Sequence, residues 1–228
     1  MTAIASENGR LAPVSLGPAR LGAAAVLVGA AGVVATSILY GLSPPAAAMP
    51  LVPLDLGAAA SGAVRGAATM HWAGTLGVFS DVLIAGGGMA LGADRVLRGE
   101  GAAALGWFLI AVSTVLFAVV DSMVGFVLSP LAAAGASPAF LGAKTLFDAL
   151  FALGTATFGA GACLAAAGER RLPRLLALAA FGAGLAALVG GGGVILGANL
   201  TPLIGVGLLG GSSLFVLIGA RLATLRFP

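Results

Sequence analysis

The chain has 228 residues, of which 60% are hydrophobic and only 8% charged, where an ordinary soluble domain carries about 25% charged residues. A mean hydropathy of +1.12 and 37 glycines place it in lipid, since glycine is more frequent in membrane helices than in soluble ones. The formal excess of three positive charges comes without a basic cluster interleaved with aromatics, which excludes nucleic acid as a partner, and the single cysteine, Cys163, excludes a disulfide framework.

Residues 1–19 carry Ser, Asn, Pro and Gly without amphipathic pattern and are expected to form a cytoplasmic tail. The remainder, 20–228, reads as one membrane domain. About 20 apolar residues cross the hydrocarbon core, and six runs reach that length: 20–42, 70–93, 104–129, 138–167, 174–197 and 201–220. The first exceeds the roughly 7 to 15 apolar residues of a signal peptide, so it is expected to be a retained helix. Residues 43–69 form a long outer loop that opens with Pro44, Pro45, Pro50 and Pro53. Asp55 is suited to cap a short outer-surface helix there, either separate from the second span or continuous with it. Pro130, Pro173 and Pro202 fall at span boundaries, where a missing N–H does no harm.

The fold class is thus all-α integral membrane: a six-transmembrane-helix bundle with both termini on one side. Under that count nine of the eleven basic residues share the side of the termini, Arg65 alone falls in a loop on the other side, and Lys144 lies inside a span. The positive-inside rule then makes both termini cytoplasmic. Ten arginines to one lysine, with heavy use of Ala and Gly, suggest a bacterium with GC-rich DNA, hence a bacterial inner membrane. Tyr40 and Trp72 fall at the outer interface and Trp107 at the inner one, as an aromatic belt requires.

Four ionisable residues lie within the spans: Asp81, Asp121, Lys144 and Asp148. Such groups are costly in lipid and mark functional sites by default. Counted from the outer ends at 1.5 Å per residue, they lie about 16, 12, 9 and 15 Å deep. Four groups in one layer on three helices are expected to meet in a polar intramembrane pocket. Lys144 and Asp148, four residues apart on one helical face, form a pair that has a purely structural reading as well. With no second basic residue at this depth, at least one of Asp81 and Asp121 is expected to be protonated at neutral pH. His71, beside Trp72, stands at the outer end of the second span, as a guard of the pocket entrance or as an interfacial ring.

One histidine excludes bis-histidine haem and multi-histidine metal centres. No HExxH or Walker A sequence is present, and neither a catalytic residue, a metal nor a cofactor is assigned. Asp81-Val-Leu-Ile-Ala-Gly-Gly and Asp148-Ala-Leu-Phe-Ala-Leu-Gly share D-x-L-x-A-x-G in two spans of the same direction, an arrangement of parallel repeats that some transporters use. Three functions remain. The leading one is binding or passing a small solute or protons. The second is an accessory subunit packed against a membrane-protein partner through glycine-rich faces of the second, fifth and sixth spans. The third is a lipid-acting enzyme that uses a carboxylate as acid or base.

The stretches GVFSDVLIAGGGMALGADRVLRGEGAAALGWFLIAVSTVLFAVVD, FLGAKTLFDALFALGTATFGAG and ERRLPRLLAL resemble an uncharacterised bacterial family of six-helix membrane proteins, the domain of unknown function numbered 4386. The resemblance covers about two-thirds of the chain and implies the same six-span architecture. It carries no activity and no site residues.

Overall fold

The computed structural model describes residues 17–50, 52–135 and 137–224. The expected tail, except for its last three residues, lies outside the described residues, as do Arg10 and Arg226. No strand occurs among the described residues. The helices are α1 (Pro18–Leu42), α2 (Pro45–Ala48), α3 (Leu56–Arg65), α4 (Ala67–Leu97), α5 (Gly101–Met123), α6 (Ser129–Ala133), α7 (Ser137–Gly168), α8 (Arg174–Ile195) and α9 (Thr201–Thr224). A π-helical turn, Val124–Leu128, joins α5 to α6 without a break. Six helices are long and apolar enough to cross a membrane: α1, α4, the continuous α5–α6 rod, α7, α8 and α9.

Local chemistry sets most of the boundaries. Pro18 opens α1, where its missing N–H costs nothing. Asp55 caps α3 through its side chain, which accepts from the Ala58 N–H at 2.9 Å. Gly66 ends α3 and precedes α4, so the surface helix and the second span are separate elements. Pro130 does not stop its helix as expected. It lies inside the rod, which continues to Ala133. A proline ring clashes with the carbonyl four residues back, and the wider π turn immediately before it accommodates the ring without ending the helix.

The links 98–100, 134–136, 169–173 and 196–200 are three to five residues long, which suits antiparallel neighbours. Each long helix packs on its neighbours in chain order, and α9 returns to pack on α1, so the six form a closed ring. Backbones come close at several joints. A Cβ on Gly106 of α5 would lie 2.8 Å from the Gly161 carbonyl oxygen of α7, and one on Gly219 of α9 would lie 2.7 Å from the Leu27 amide of α1. Glycines that suggested an outward packing face also meet partners inside the ring: Gly88 against Trp107, Gly191 against Ala152 and Gly207 against Ala187.

The centre of the ring differs between its two halves. At the level of the α4–α5 link, side chains from helices that are not ring neighbours meet across the middle. Trp107 of α5 stands edge-on to Phe215 of α9, with centroids 5.7 Å apart, and Phe215 lies 5.5 Å from Phe158 of α7. Trp107 is 1% exposed. It is therefore a core residue and not the interfacial belt residue expected, because its ring faces the middle of the bundle and closes it.

Beyond this plug, an ion cluster ties three helix ends together. Arg95 of α4, fully buried, donates through Nε to Glu169 Oε2 after α7 at 2.7 Å, lies 3.2 Å from Glu100 Oε2 before α5, and contacts Asp94 through Nη1. Arg98 Nε reaches the same Asp94 carboxylate at 2.9 Å. The half of the ring nearer α3 holds a cavity in place of a plug.

Candidate functional site

The cavity measures about 310 Å³ and is lined from α1, α4, α5, α7, α9 and the segment 45–49. Most of its wall is apolar or aromatic. Phe117 and Phe151, an edge-to-face pair with centroids 5.8 Å apart, and Ile204 and Leu208 face it together. Gly41, Gly205 and Leu209, which also line it, are exposed. The cavity therefore opens between α1 and α9, and because Leu209 lies more than two turns into α9, the mouth is on the side of the bundle.

Its polar wall is made by Thr36, Ser37 and Tyr40 of α1, Asp81 of α4 and Asp121 of α5. The Asp121 carboxyl is the hub. Tyr40 donates its phenol proton to Asp121 Oδ1, and the Asp81 carboxyl, from the adjacent helix α4, faces the same cavity. Two carboxyl groups on one cavity wall with no cation facing them favour a proton held by one of them, the arrangement of a dyad. Gly77, one turn before Asp81, makes room for the hub: a Cβ there would overlap the Asp121 carboxyl. Asp81 is 2% and Thr36 3% exposed, yet Asp81 Oδ2 and Thr36 Oγ1 have no hydrogen-bond partner. A buried polar atom left unsatisfied costs about 1–3 kcal/mol.

The four charged residues expected in one layer fall into two pairs. Asp81 and Asp121 share the cavity with Tyr40. Lys144 is fully buried and pairs with Asp148, one turn along α7. It also donates to the Met49 carbonyl at 3.1 Å and sits over the Phe147 ring, 4.8 Å from its centroid. Neither Lys144 nor Asp148 lines the cavity. Met49 joins the two places, since it lines the cavity and its carbonyl receives the ammonium. The polar residues that accompany the charges along their helices are satisfied locally: Thr114 donates to the Ile110 and Ala111 carbonyls, and Thr155 to that of Phe151.

His71 is exposed and not part of the cavity wall. Its ring stands edge-on to Trp72 and Phe126, and Nδ1 lies 3.2 Å from the Gly125 carbonyl within the π turn. That turn follows Asp121 by three residues, and a π turn frees carbonyls that an α-helix would occupy.

No family model matches the chain, and neither a curated protein nor a solved structure matches it. The reading of the site therefore rests on its own geometry. Three members of its polar wall, Thr36, Ser37 and Tyr40, are not marked out by the sequence. Tyr40 reads from the sequence as an interfacial belt residue, and only the fold turns it toward Asp121. Thr36 lies one turn before Tyr40 on the same face of α1, a spacing that would have linked the two once Tyr40 was suspected.

Proposed function

We propose that the chain is a multi-pass protein of a bacterial cytoplasmic membrane that binds a small, largely apolar solute at the Asp81–Asp121 dyad. The observation that carries this reading is the presence of two buried, unpartnered polar atoms, Asp81 Oδ2 and Thr36 Oγ1, on the wall of one otherwise apolar cavity. A few convergent polar groups in an apolar concavity are the usual form of a small-molecule site. The mouth between α1 and α9 lies where acyl chains would surround the bundle, so the solute enters from the lipid phase.

Dicyclohexylcarbodiimide, an apolar reagent for protonated carboxyl groups, tests the site. Treated in membranes, the protein is expected to carry the adduct on Asp81 or Asp121 and not on Asp148, which is ion-paired with Lys144; peptide mass spectrometry reads the position. Labelling of Asp148 alone, or of none of the three, would sink the reading.

Orientation follows from charge. Seven of the nine described basic residues, Arg20, Arg95, Arg98, Arg170, Arg171, Arg174 and Arg221, lie at the end of the ring away from α3, which favours that end in the cytoplasm. A fluorescent-protein fusion after Pro228 is expected to glow, and a periplasm-dependent phosphatase fused there to stay inactive. The opposite pattern would invert the topology.

A further inference from the structure

We propose that the solute is a protonated organic amine, which displaces the proton shared by Asp81 and Asp121. This deepens the preceding reading and rests on it. The argument starts from the charges that face the cavity. Tyr40 comes from α1, Asp81 from α4 and Asp121 from α5, while α7, α9 and the segment 45–49 contribute no titratable side chain to the wall. No lysine or arginine lines the cavity, and the buried Lys144 is engaged by Asp148 and the Met49 carbonyl. With two carboxyl groups and no facing cation, the dyad holds a proton or takes up a positive charge from a ligand, because an uncompensated buried anion is costly.

The orphaned atoms specify the ligand further. Asp81 Oδ2 is an acceptor, and the Thr36 hydroxyl accepts through its lone pairs. An ammonium with two or three N–H groups satisfies both, which a quaternary cation cannot do. The Phe117 and Phe151 rings and the Tyr40 phenol present aromatic surface nearby, which favours a cation and accommodates its apolar body. At about 310 Å³ the cavity is at the lower end of the range of small-molecule sites, roughly 300–1,000 Å³, so the body is of the size of one aromatic ring with a short alkyl chain. In the exchange, the dissolved ammonium enters and the one shared proton leaves to solvent, so the dyad passes from one ionised carboxyl to two and the net charge of the site is unchanged.

The probes are 4-phenylbutylamine and its neutral isostere pentylbenzene, titrated calorimetrically into the protein in lipid nanodiscs, with empty discs as the blank. The amine is expected to bind at least tenfold more tightly than pentylbenzene, with an affinity that rises about tenfold per pH unit between pH 6 and 8, the slope of one released proton. The double variant Asp81→Asn/Asp121→Asn is expected to lose that preference and retain pentylbenzene binding, which itself reports an intact cavity. Gly205→Phe closes the mouth from a position where an added Cβ meets open space, and is expected to weaken both probes. Equal binding of amine and isostere, or a preference that survives in the double variant, would overturn the amine and leave the cavity reading standing. A preferred amine with no pH dependence would overturn the proton exchange. If neither probe binds, both readings fall.

Discussion

Arg95→Leu is expected to cost the bundle about 3–5 kcal/mol, the range for removing one partner of a buried charge pair. The residue is fully buried, and so is the Glu169 carboxylate that accepts from it at 2.7 Å. Leucine would fill part of the volume but leave Glu169 and Glu100 without Arg95, while Asp94 keeps only Arg98. The same reasoning predicts the rescue. Arg95→Leu with Glu169→Met removes both buried ions, and such double replacements are often neutral or stabilising. Thermal unfolding in mild detergent is the measurement. A single variant as stable as the parent, or a double variant less stable than Arg95→Leu, would show that Arg95 does not hold the ends of α4, α5 and α7 together.

Lys144→Met is expected to produce the next largest loss, about 2–4 kcal/mol. This is set below the full penalty for a broken buried pair because Asp148 keeps 17% side-chain exposure and so some access to solvent. Two contacts disappear together: the ion pair with Asp148 and the hydrogen bond to the Met49 carbonyl. The double variant Lys144→Met/Asp148→Leu is expected to regain the part due to the stranded carboxylate and not the part due to the Met49 tether. If the double variant binds the probes of the cavity as the parent does, the pair is structural. Altered probe binding would restore Lys144 and Asp148 to the site.

The architecture was largely legible in the amino-acid order. Six apolar runs of 20 residues or more became six helices long and apolar enough to cross a membrane, the form in which a segment satisfies its backbone hydrogen bonds within itself. Lys144 and Asp148 were legible as a pair, since residues four apart on a helix face the same way. The division of the four charges into two places was not. Depth along a helix is one coordinate, and equal depth says nothing about position around a ring. Asp81 and Asp121 lie on adjacent helices with their faces turned to one cavity, while Lys144 turns toward Met49.

Three other residues misled for related reasons. Tyr40 and Trp107 stand near span ends, where composition favours an interfacial aromatic, and only tertiary packing turns one toward Asp121 and the other toward Phe215. Arg95 reads as a topology signal beside a loop. Its burial depends on Glu169, 74 residues away, and no local pattern announces a partner at that distance.

The ring also has one joint unlike the rest. Every other neighbouring pair of long helices is consecutive in the chain, whereas α1 and α9 meet across its full length. During synthesis α1 emerges before α9, so the wall that α9 supplies, with Ile204, Gly205 and Leu208, is missing until α9 arrives. Until that moment Tyr40, Asp81 and Asp121 lack part of their apolar cover. The site is completed only when α9 closes against α1, and a chain truncated before Thr201 would retain both carboxyls of the dyad while lacking the wall that encloses them.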